Sequence, residues 1–152
     1  MGELTITYRE VAELKLCDRN ARTHSLAQIK QIAASIKRFG FTNPVLIDDA
    51  DQIIAGHGRY AAAKLLGLDA VPTVRLSHLS AAEKRAYILA DNRLAEKAGW
   101  NREILAIELQ GLIELDFDVE ITGFSTAVRN PVRRGHRFRC KADSIPVIAD
   151  SA

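Results

Sequence analysis

The segment QIIAGHGRYAAAKLLG, residues 52–67, constrains the fold more than any other stretch of the sequence. A short apolar run at residues 53–55 ends in a glycine, and a helical pattern rich in alanine and leucine follows at once, ending at Gly67. A chain that alternates strands and helices builds a sheet covered by helices. We therefore expect a strand that passes directly into a helix, with the tetrapeptide GHGR, residues 56–59, at the joint.

Short strands and amphipathic helices account for most of the other residues. Besides the joint, we predict strands at residues 4–11, 45–47 and 70–76, and helices at residues 25–40, 80–99 and 101–115. Ser80 and Glu83 form a capping-box pattern. Pro72 lacks an N–H, which favours an edge strand or a strand start, and Trp100 is expected to anchor the core. The predicted fold class is α+β, a small mixed sheet flanked by helices.

The formal net charge of +2 hides an uneven distribution of charge along the 152 residues. Residues 1–125 carry 15 Lys and Arg against 17 Asp and Glu, whereas residues 126–152 carry 6 against 2. We predict a folded domain over residues 1–124 and an irregular basic tail over residues 125–152. The tail is either solvated or an arm that contacts nucleic acid.

Targeting and redox signals are weak in this sequence. It shows neither a signal pattern at its start nor an apolar run of the roughly 18 residues that a membrane span requires. Cys17 and Cys140 lie far apart and outside any metal-type spacing, which argues against a disulfide framework or a zinc site. We expect a cytoplasmic protein.

The GHGR joint has the chemistry of a phosphate-binding loop. The first N–H groups of a helix have no partner within it and lie at the positive end of its dipole. Gly56 and Gly58 allow an anion to approach closely, and Arg59 adds a planar cation suited to two phosphate oxygens. The alternative is a plain tight turn with His57 as a polar cap. Neither the P-loop nor the dinucleotide fingerprint is present, so chemistry alone indicates no particular nucleotide.

Three segments in a fixed order extend this interpretation. SIKRFGFTNPVLI, IIAGHGRYAAAKLLGLDAVPTVRL and LADNRLAEKAGWN resemble the ParB N-terminal domain family of the ParB/sulfiredoxin superfamily. The chain is similar to the version found in front of adenine-type DNA methyltransferases of phages and prophages, often labelled a ParB-like nuclease domain. The resemblance implies a ParB/sulfiredoxin-like fold, CTP or ATP with Mg²⁺ as cofactors, DNA as a partner, a DNA methyltransferase as a neighbour, and a homodimer.

The resemblance also implies roles for individual residues. Arg22 matches the arginine of the family's first box, and Gly56 and Arg59 match the ends of its Gly-Glu-Arg-Arg phosphate box. Asp91 and Asn92 match an acidic-Asn pair that helps to hold the metal, although neighbours on a helix diverge by about 100°. The implied phosphate-binding residues are Arg22, Gly56, His57, Gly58 and Arg59, and the implied metal ligands are Asp91 and Asn92.

Several features depart from the family pattern. His57 and Gly58 stand where partition proteins have Glu and Arg, and His57 also takes the place of the cysteine that sulfiredoxin activity needs. His24 is expected to be a surface histidine rather than a phosphate contact. The helix-turn-helix domain that reads partition sites is expected to be absent, because few residues follow Leu115.

Three functions remain open at this stage. The first is a nucleotide-binding, DNA-associated module, supported by the joint and by a basic loop with Arg19 and Arg22, which would regulate a DNA modification methyltransferase or a partition-type protein. The second is an enzyme, either a metal-dependent nuclease or a nucleoside triphosphatase or phosphotransferase, with His57 as catalytic acid or base and Asp91 as metal ligand. The third is an inert protein-interaction module that docks through the helices after residue 80.

Overall fold

A computed structural model of the chain describes residues 3–18 and 20–125. Arg19 of the predicted basic loop, and the predicted tail from residue 126 onward, lie outside the described residues. The elements follow in the order β1 (Ile6–Glu10), α1 (Leu26–Phe39), β2 (Val45–Ile47), β3 (Ile53–Ala55), α2 (His57–Leu66), β4 (Ala70–Arg75), α3 (Ala81–Lys97) and α4 (Arg102–Glu114). Two short 3₁₀ turns, Val11–Glu13 and Val119–Thr122, follow β1 and α4. Each strand and helix predicted from the sequence is present.

The four strands form one mixed sheet in the order β1-β4-β2-β3. β4 pairs antiparallel with β1 and parallel with β2, and β2 and β3 form an antiparallel hairpin. The carboxylate of Asp48 accepts from the N–H of Ala50 at 2.8 Å, which closes the acidic turn of the hairpin. Asp51 in the same turn accepts from Arg9 at 2.9 Å and from Arg75 at 2.6 Å, which ties the turn to β1 and β4.

Pro72 does not mark an edge strand, so that expectation was wrong. β4 lies between β1 and β2, and Pro72 pairs with Tyr8 of β1. Pairing with β2 begins only at Thr73, which faces Val45. At Pro72 the strand therefore has a partner on one side only, and a missing N–H on the other side removes no ladder bond.

Apolar side chains cover both faces of the sheet. One buried cluster consists of Val11, Leu14, Val45, Ile47, Ile53, Tyr60, Ala63 and Val71. The other consists of Ile54, Val74, Leu76 and Ile88. The neighbours Ile53 and Ile54 belong to different clusters because successive side chains of a strand point to opposite faces. α2, packed against α1, thus lies on one face of the sheet and α3 on the other.

α3 and α4 each bury one residue, as α1 does, whereas α2 buries four. Ile88 is the buried residue of α3, and Leu109 is that of α4. Trp100 is 69% exposed and contacts the ring of Phe124 edge to face at 5.1 Å, so the expectation of a core anchor was wrong. Trp100 directly precedes Asn101, the N-cap of α4. Among the residues described, no helix is long and apolar enough to cross a membrane.

Candidate functional site

The first turn of α2 begins directly where β3 ends. The three residues of β3 are buried, and Gly56 then adopts a φ of 98°, a left-handed conformation that turns the chain into α2. The N–H of Tyr60 donates to the carbonyl of Gly56 at 2.9 Å, which is the first hydrogen bond of the helix. The N–H groups before Tyr60 have no acceptor within the helix and lie at the positive end of its dipole. The backbone of this turn can therefore hold an anion.

The side chain of Arg59 folds back over Gly56. A Cβ built on Gly56 would lie 3.0 Å from Nη2 of Arg59, so an alanine at residue 56 would require the guanidinium to shift by a few tenths of an ångström. Nη2 donates to the carbonyl of Pro44 at 3.2 Å. Nε is buried and has no hydrogen-bond partner among the described residues. An unpaired buried donor is costly, and an anion placed beside it would remove that cost.

The charge of Arg59 is only partly balanced by α3. Burial lowers the pKa of Arg59 below its ordinary value, while the nearby Asp91 and Tyr87 act in the opposite direction. Burial and Asp91 raise the pKa of Tyr87. An arginine remains protonated at neutral pH because its ordinary pKa is above about 12. The first turn of α2 therefore presents a fixed cation.

Two histidines flank the same turn. Nε2 of His57 is buried and without a partner in the part of the chain that the structure describes. Burial, and then the charge of His24, lower the pKa of His57 below its ordinary value. A Cβ built on Gly58 would lie 3.1 Å from Cε1 of His24 and 2.9 Å from Cδ1 of Ile32. His24 is thus half-buried against Gly58, although a surface position was expected.

Arg22 connects the loop before α1 to α3. Its Nη1 donates to Oδ1 of Asn92 at 3.0 Å, and Nδ2 of Asn92 donates to the carbonyl of Ile88 at 2.8 Å. α3 continues unbroken through Asp91 and Asn92, so these neighbouring side chains diverge by about 100°. Asn92 is turned toward Arg22, whereas Asp91 acts on Arg59.

The predicted metal ligands fit a limited kind of metal site. Within residues 3–18 and 20–125, no group of three or more His, Cys, Asp or Glu side chains is placed to hold a metal ion. Mg²⁺ bound together with a nucleotide needs only one or two protein carboxylates, because phosphates and water supply the other oxygens. Asp91 fits that requirement, and Asn92 could add its oxygen only by releasing Arg22.

Two clefts lie beside these elements. One, of about 380 Å³, reaches Arg59 and lies between α1, the loop of residues 40–43 and the second 3₁₀ turn. Besides Arg59, its polar lining residues are Gln28, Gln31, Ser35, Thr42, Asn43 and Thr122. The other, of about 470 Å³, lies between β3 and α3 and includes Lys84 and Arg85. Both have the size of small-molecule sites, roughly 300–1,000 Å³, but only the first contains a residue of the predicted phosphate site.

The structure gathers the predicted site residues around one turn. Residues 56–59 form the turn, the charge of Asp91 on α3 acts on Arg59, and Arg22 bonds Asn92, the residue that follows Asp91. Their roles in binding stay predictions. Sequence reasoning considered His24 but favoured a surface position, because Gly58 has no side chain whose chemistry could indicate what fills the adjacent space.

The chain was compared with known protein families. Residues 3–93 match the ParB N-terminal domain, and residues 103–128 match the ParB-methyltransferase HTH domain. The second match indicates helix-turn-helix sequence of the ParB-methyltransferase type, whereas the expectation of absence concerned the helix-turn-helix domain that reads partition sites. That expectation counted only the residues after Leu115, whereas the match includes nearly all of α4.

Curated proteins also resemble the chain. The ParB-like nuclease domain-containing protein YnaK of Escherichia coli K12 is 52% identical over 83 residues, which are 55% of this chain and 95% of that protein. The probable chromosome 2-partitioning protein ParB of Deinococcus radiodurans is 36% identical over 86 residues, which are 54% of this chain but 29% of the partitioning protein. The chain thus spans less than a third of that relative's length.

Among solved structures, the truncated chromosome-partitioning protein ParB of Caulobacter crescentus complexed with CTP-gamma-S superposes with a TM-score of 0.65. The sequences are 21% identical, and the superposition covers 78% of this chain and 69% of that chain. At this identity the likeness concerns the fold, and it confirms the predicted fold class.

Proposed function

The chain belongs to the ParB N-terminal domain family, and on that premise we propose that it is a nucleotide-binding, DNA-associated module. The phosphates of the nucleotide lie on the first turn of α2, where they accept from its free N–H groups and from Arg59. The observation that carries this proposal is the buried Nε of Arg59, which has no partner among the described residues and lies directly over Gly56. A phosphate oxygen would pair this donor with a charge-assisted hydrogen bond.

The cleft beside Arg59 supports a whole nucleotide rather than a bare phosphate. Its volume of about 380 Å³ leaves room for a base and a sugar, and its amide and hydroxyl side chains can bond their polar edges. The Caulobacter protein of similar fold is complexed with CTP-gamma-S, which makes CTP the first nucleotide to test and ATP the second.

A Mg²⁺ ion is the proposed companion of the nucleotide. The ion supplies positive charge to the phosphate oxygens. In this chain Asp91 would hold it, with Asn92 as a second ligand or as the residue that positions Arg22. No observation favours metal-dependent nuclease chemistry over binding, so the catalytic role of His57 stays a prediction from the sequence.

Calorimetric titration with each ribonucleoside triphosphate and Mg²⁺ tests the proposed function. We expect CTP or ATP to bind, and Arg59→Ala to weaken binding at least about tenfold, since a charge-assisted hydrogen bond contributes roughly 1.5–3 kcal/mol. Arg93→Ala is the matched control, because Arg93 is exposed and its guanidinium pairs with Glu96 within α3. Equal binding by Arg59→Ala and the wild type would refute the assignment.

Contact with a DNA methyltransferase is a second candidate function. The match of residues 103–128 to the ParB-methyltransferase HTH domain favours it. So do exposed apolar side chains of α4, since Ile104 is 57% and Ile107 59% exposed. Co-purification with a methyltransferase that is unchanged by Arg59→Ala would support this function independently of nucleotide binding.

A further inference from the structure

The starts of α1 and α2 bring two histidines to one place. His24 directly precedes Ser25, the N-cap of α1, and His57 is the first residue of α2. The two helices pack against each other, and the ring of His24 lies against Gly58, within 3.1 Å of the position a Cβ would take. His24 therefore occupies the space that a side chain at residue 58 would need.

The neutral form of His24 offers an acceptor rather than a donor at its free nitrogen. Nδ1 lies 3.1 Å from Oε1 of Gln28, and an amide oxygen only accepts, so Nδ1 carries the hydrogen. Nε2 of the neutral ring is then an acceptor, which a phosphate oxygen would repel. Protonation makes both ring nitrogens donors, and the same holds for His57, whose Nε2 is buried and unpaired among the described residues.

We infer that His24 is a further phosphate-contacting residue and that His24 and His57 contact the phosphate as imidazolium ions, so that nucleotide binding takes up protons. This inference rests on the proposed function of the same turn. Gly58 has no side chain and supplies no positive charge to the phosphate. The inference assigns that charge to the two histidines.

Charged and titratable groups of neighbouring elements act at the first turn of α2. They are Arg59 in the turn itself and Asp91 and Tyr87 on α3, and Arg22 in the loop before α1 bonds Asn92, which follows Asp91. The 3₁₀ turn Val11–Glu13 also packs on α2, but the N–H of Val11 bonds to the carbonyl of Asp69, beyond the other end of the helix. α1 contributes the uncharged Gln28 and Ile32 to this region, and β2 is apolar. Without a ligand, burial and then the charge of His24 lower the pKa of His57. A phosphate oxygen beside its unpaired Nε2 would favour the protonated imidazolium.

The experiment is calorimetric titration of the full chain with CTP and Mg²⁺ at about pH 6 and about pH 8, on either side of the ordinary histidine pKa. Each titration is run in two buffers of different ionisation enthalpy, which gives the number of protons taken up. The variants are His24→Gln, which stays neutral, and His24→Lys, which stays charged. His78→Gln is the control, because His78 is exposed and lies outside the site.

The wild type and His78→Gln should bind up to about tenfold more tightly at the lower pH, the effect of raising one imidazole pKa by one unit. His24→Gln should lose most of this difference and take up fewer protons. At the higher pH, His24→Lys should bind CTP with the affinity that the wild type has at the lower pH. The terminal phosphate of CTP also titrates at roughly pH 6. Because this contribution is the same for every variant, it does not affect the comparison between them.

Proton uptake that is the same in His24→Gln and the wild type would overturn the inference, as would His24→Lys binding no more tightly than the wild type at the higher pH. The wild-type buffer comparison requires no substitution, so a variant that fails to fold does not remove the test. CTP binding without proton uptake refutes this inference alone. Absence of binding by every ribonucleoside triphosphate refutes the proposed function, and this inference with it.

Discussion

Gly56 is required twice in this structure, once for its backbone and once for the space above it. Its φ of 98° disfavours any residue with a Cβ, and the guanidinium of Arg59 lies 3.0 Å from where that Cβ would be. Gly67, at the other end of α2, has a φ of 67° but open space around it. Substitutions at the two glycines therefore distinguish the effect of backbone strain from the effect of displacing Arg59.

We predict that Gly56→Ala and Gly67→Ala each lose roughly 1–2 kcal/mol of stability, the cost of a left-handed conformation for a residue with a Cβ. Only Gly56→Ala should also lose nucleotide binding, because its methyl group displaces Arg59. Urea unfolding and CTP titration of both variants measure the two effects. Unchanged CTP affinity in a folded Gly56→Ala variant would show that the position of Arg59 over residue 56 is unimportant for binding.

At the level of elements, α3 is held to the sheet by few contacts. Ile88 is its buried residue, and the hydrogen bond between Arg22 and Asn92 ties its middle to the loop before α1. α2, by contrast, buries four residues and packs on both α1 and β2. Elements with little buried surface open locally at lower free energy than the core.

Hydrogen exchange should therefore be faster in α3 than in α2. If the whole fold depends on the Ile88 contact, Ile88→Ala should lower the free energy of unfolding by about 2–5 kcal/mol. If α3 opens alone, Ile88→Ala should chiefly accelerate hydrogen exchange in α3, at least about tenfold. We predict the second result. Leu89→Ala is the control, because Leu89 is 60% exposed. Equal acceleration of exchange in α3 and in α2 by Ile88→Ala would contradict the prediction.

Local patterns were sufficient to predict the elements of this fold. The capping box of Ser80 and Glu83 forms as expected, and Gly67 ends α2 with its N–H bonded to Ala63 and Lys64. The strand order was not predictable, because Pro72 tolerates a central strand only where β2 has not yet begun to pair. Where the pairing of two strands begins depends on their register, and the sequence of one strand alone does not determine that register.

The candidate site was partly predictable for a similar reason. Residues 56–59 are contiguous, so their chemistry could be recognised directly in the sequence. Arg22 and Asn92 lie 70 residues apart, and only the resemblance to a family predicted that both belong to one site. The structure joins them by a hydrogen bond. The contact of His24 with Gly58 gave no signal, because the relevant property of Gly58 is the side chain it lacks.

At the scale of the whole molecule, the helices on the two faces of the sheet create two clefts that compete as ligand sites. The cleft next to Arg59 has a volume of about 380 Å³, and the cleft between β3 and α3 has about 470 Å³ and contains Lys84 and Arg85. Volume favours the second cleft slightly, whereas the unpaired guanidinium donor of Arg59, which lines the first cleft and belongs to the turn with the free N–H groups, favours the first. The proposed function requires the first.

The most direct test of that claim is the location of bound nucleotide on the protein, measured from backbone amide NMR shifts as CTP and Mg²⁺ are added. The account predicts that the largest shifts occur at the amides of His57, Gly58 and Arg59, because these N–H groups receive the phosphates. Shifts concentrated at Lys84 and Arg85, with the first turn of α2 unchanged, would contradict it.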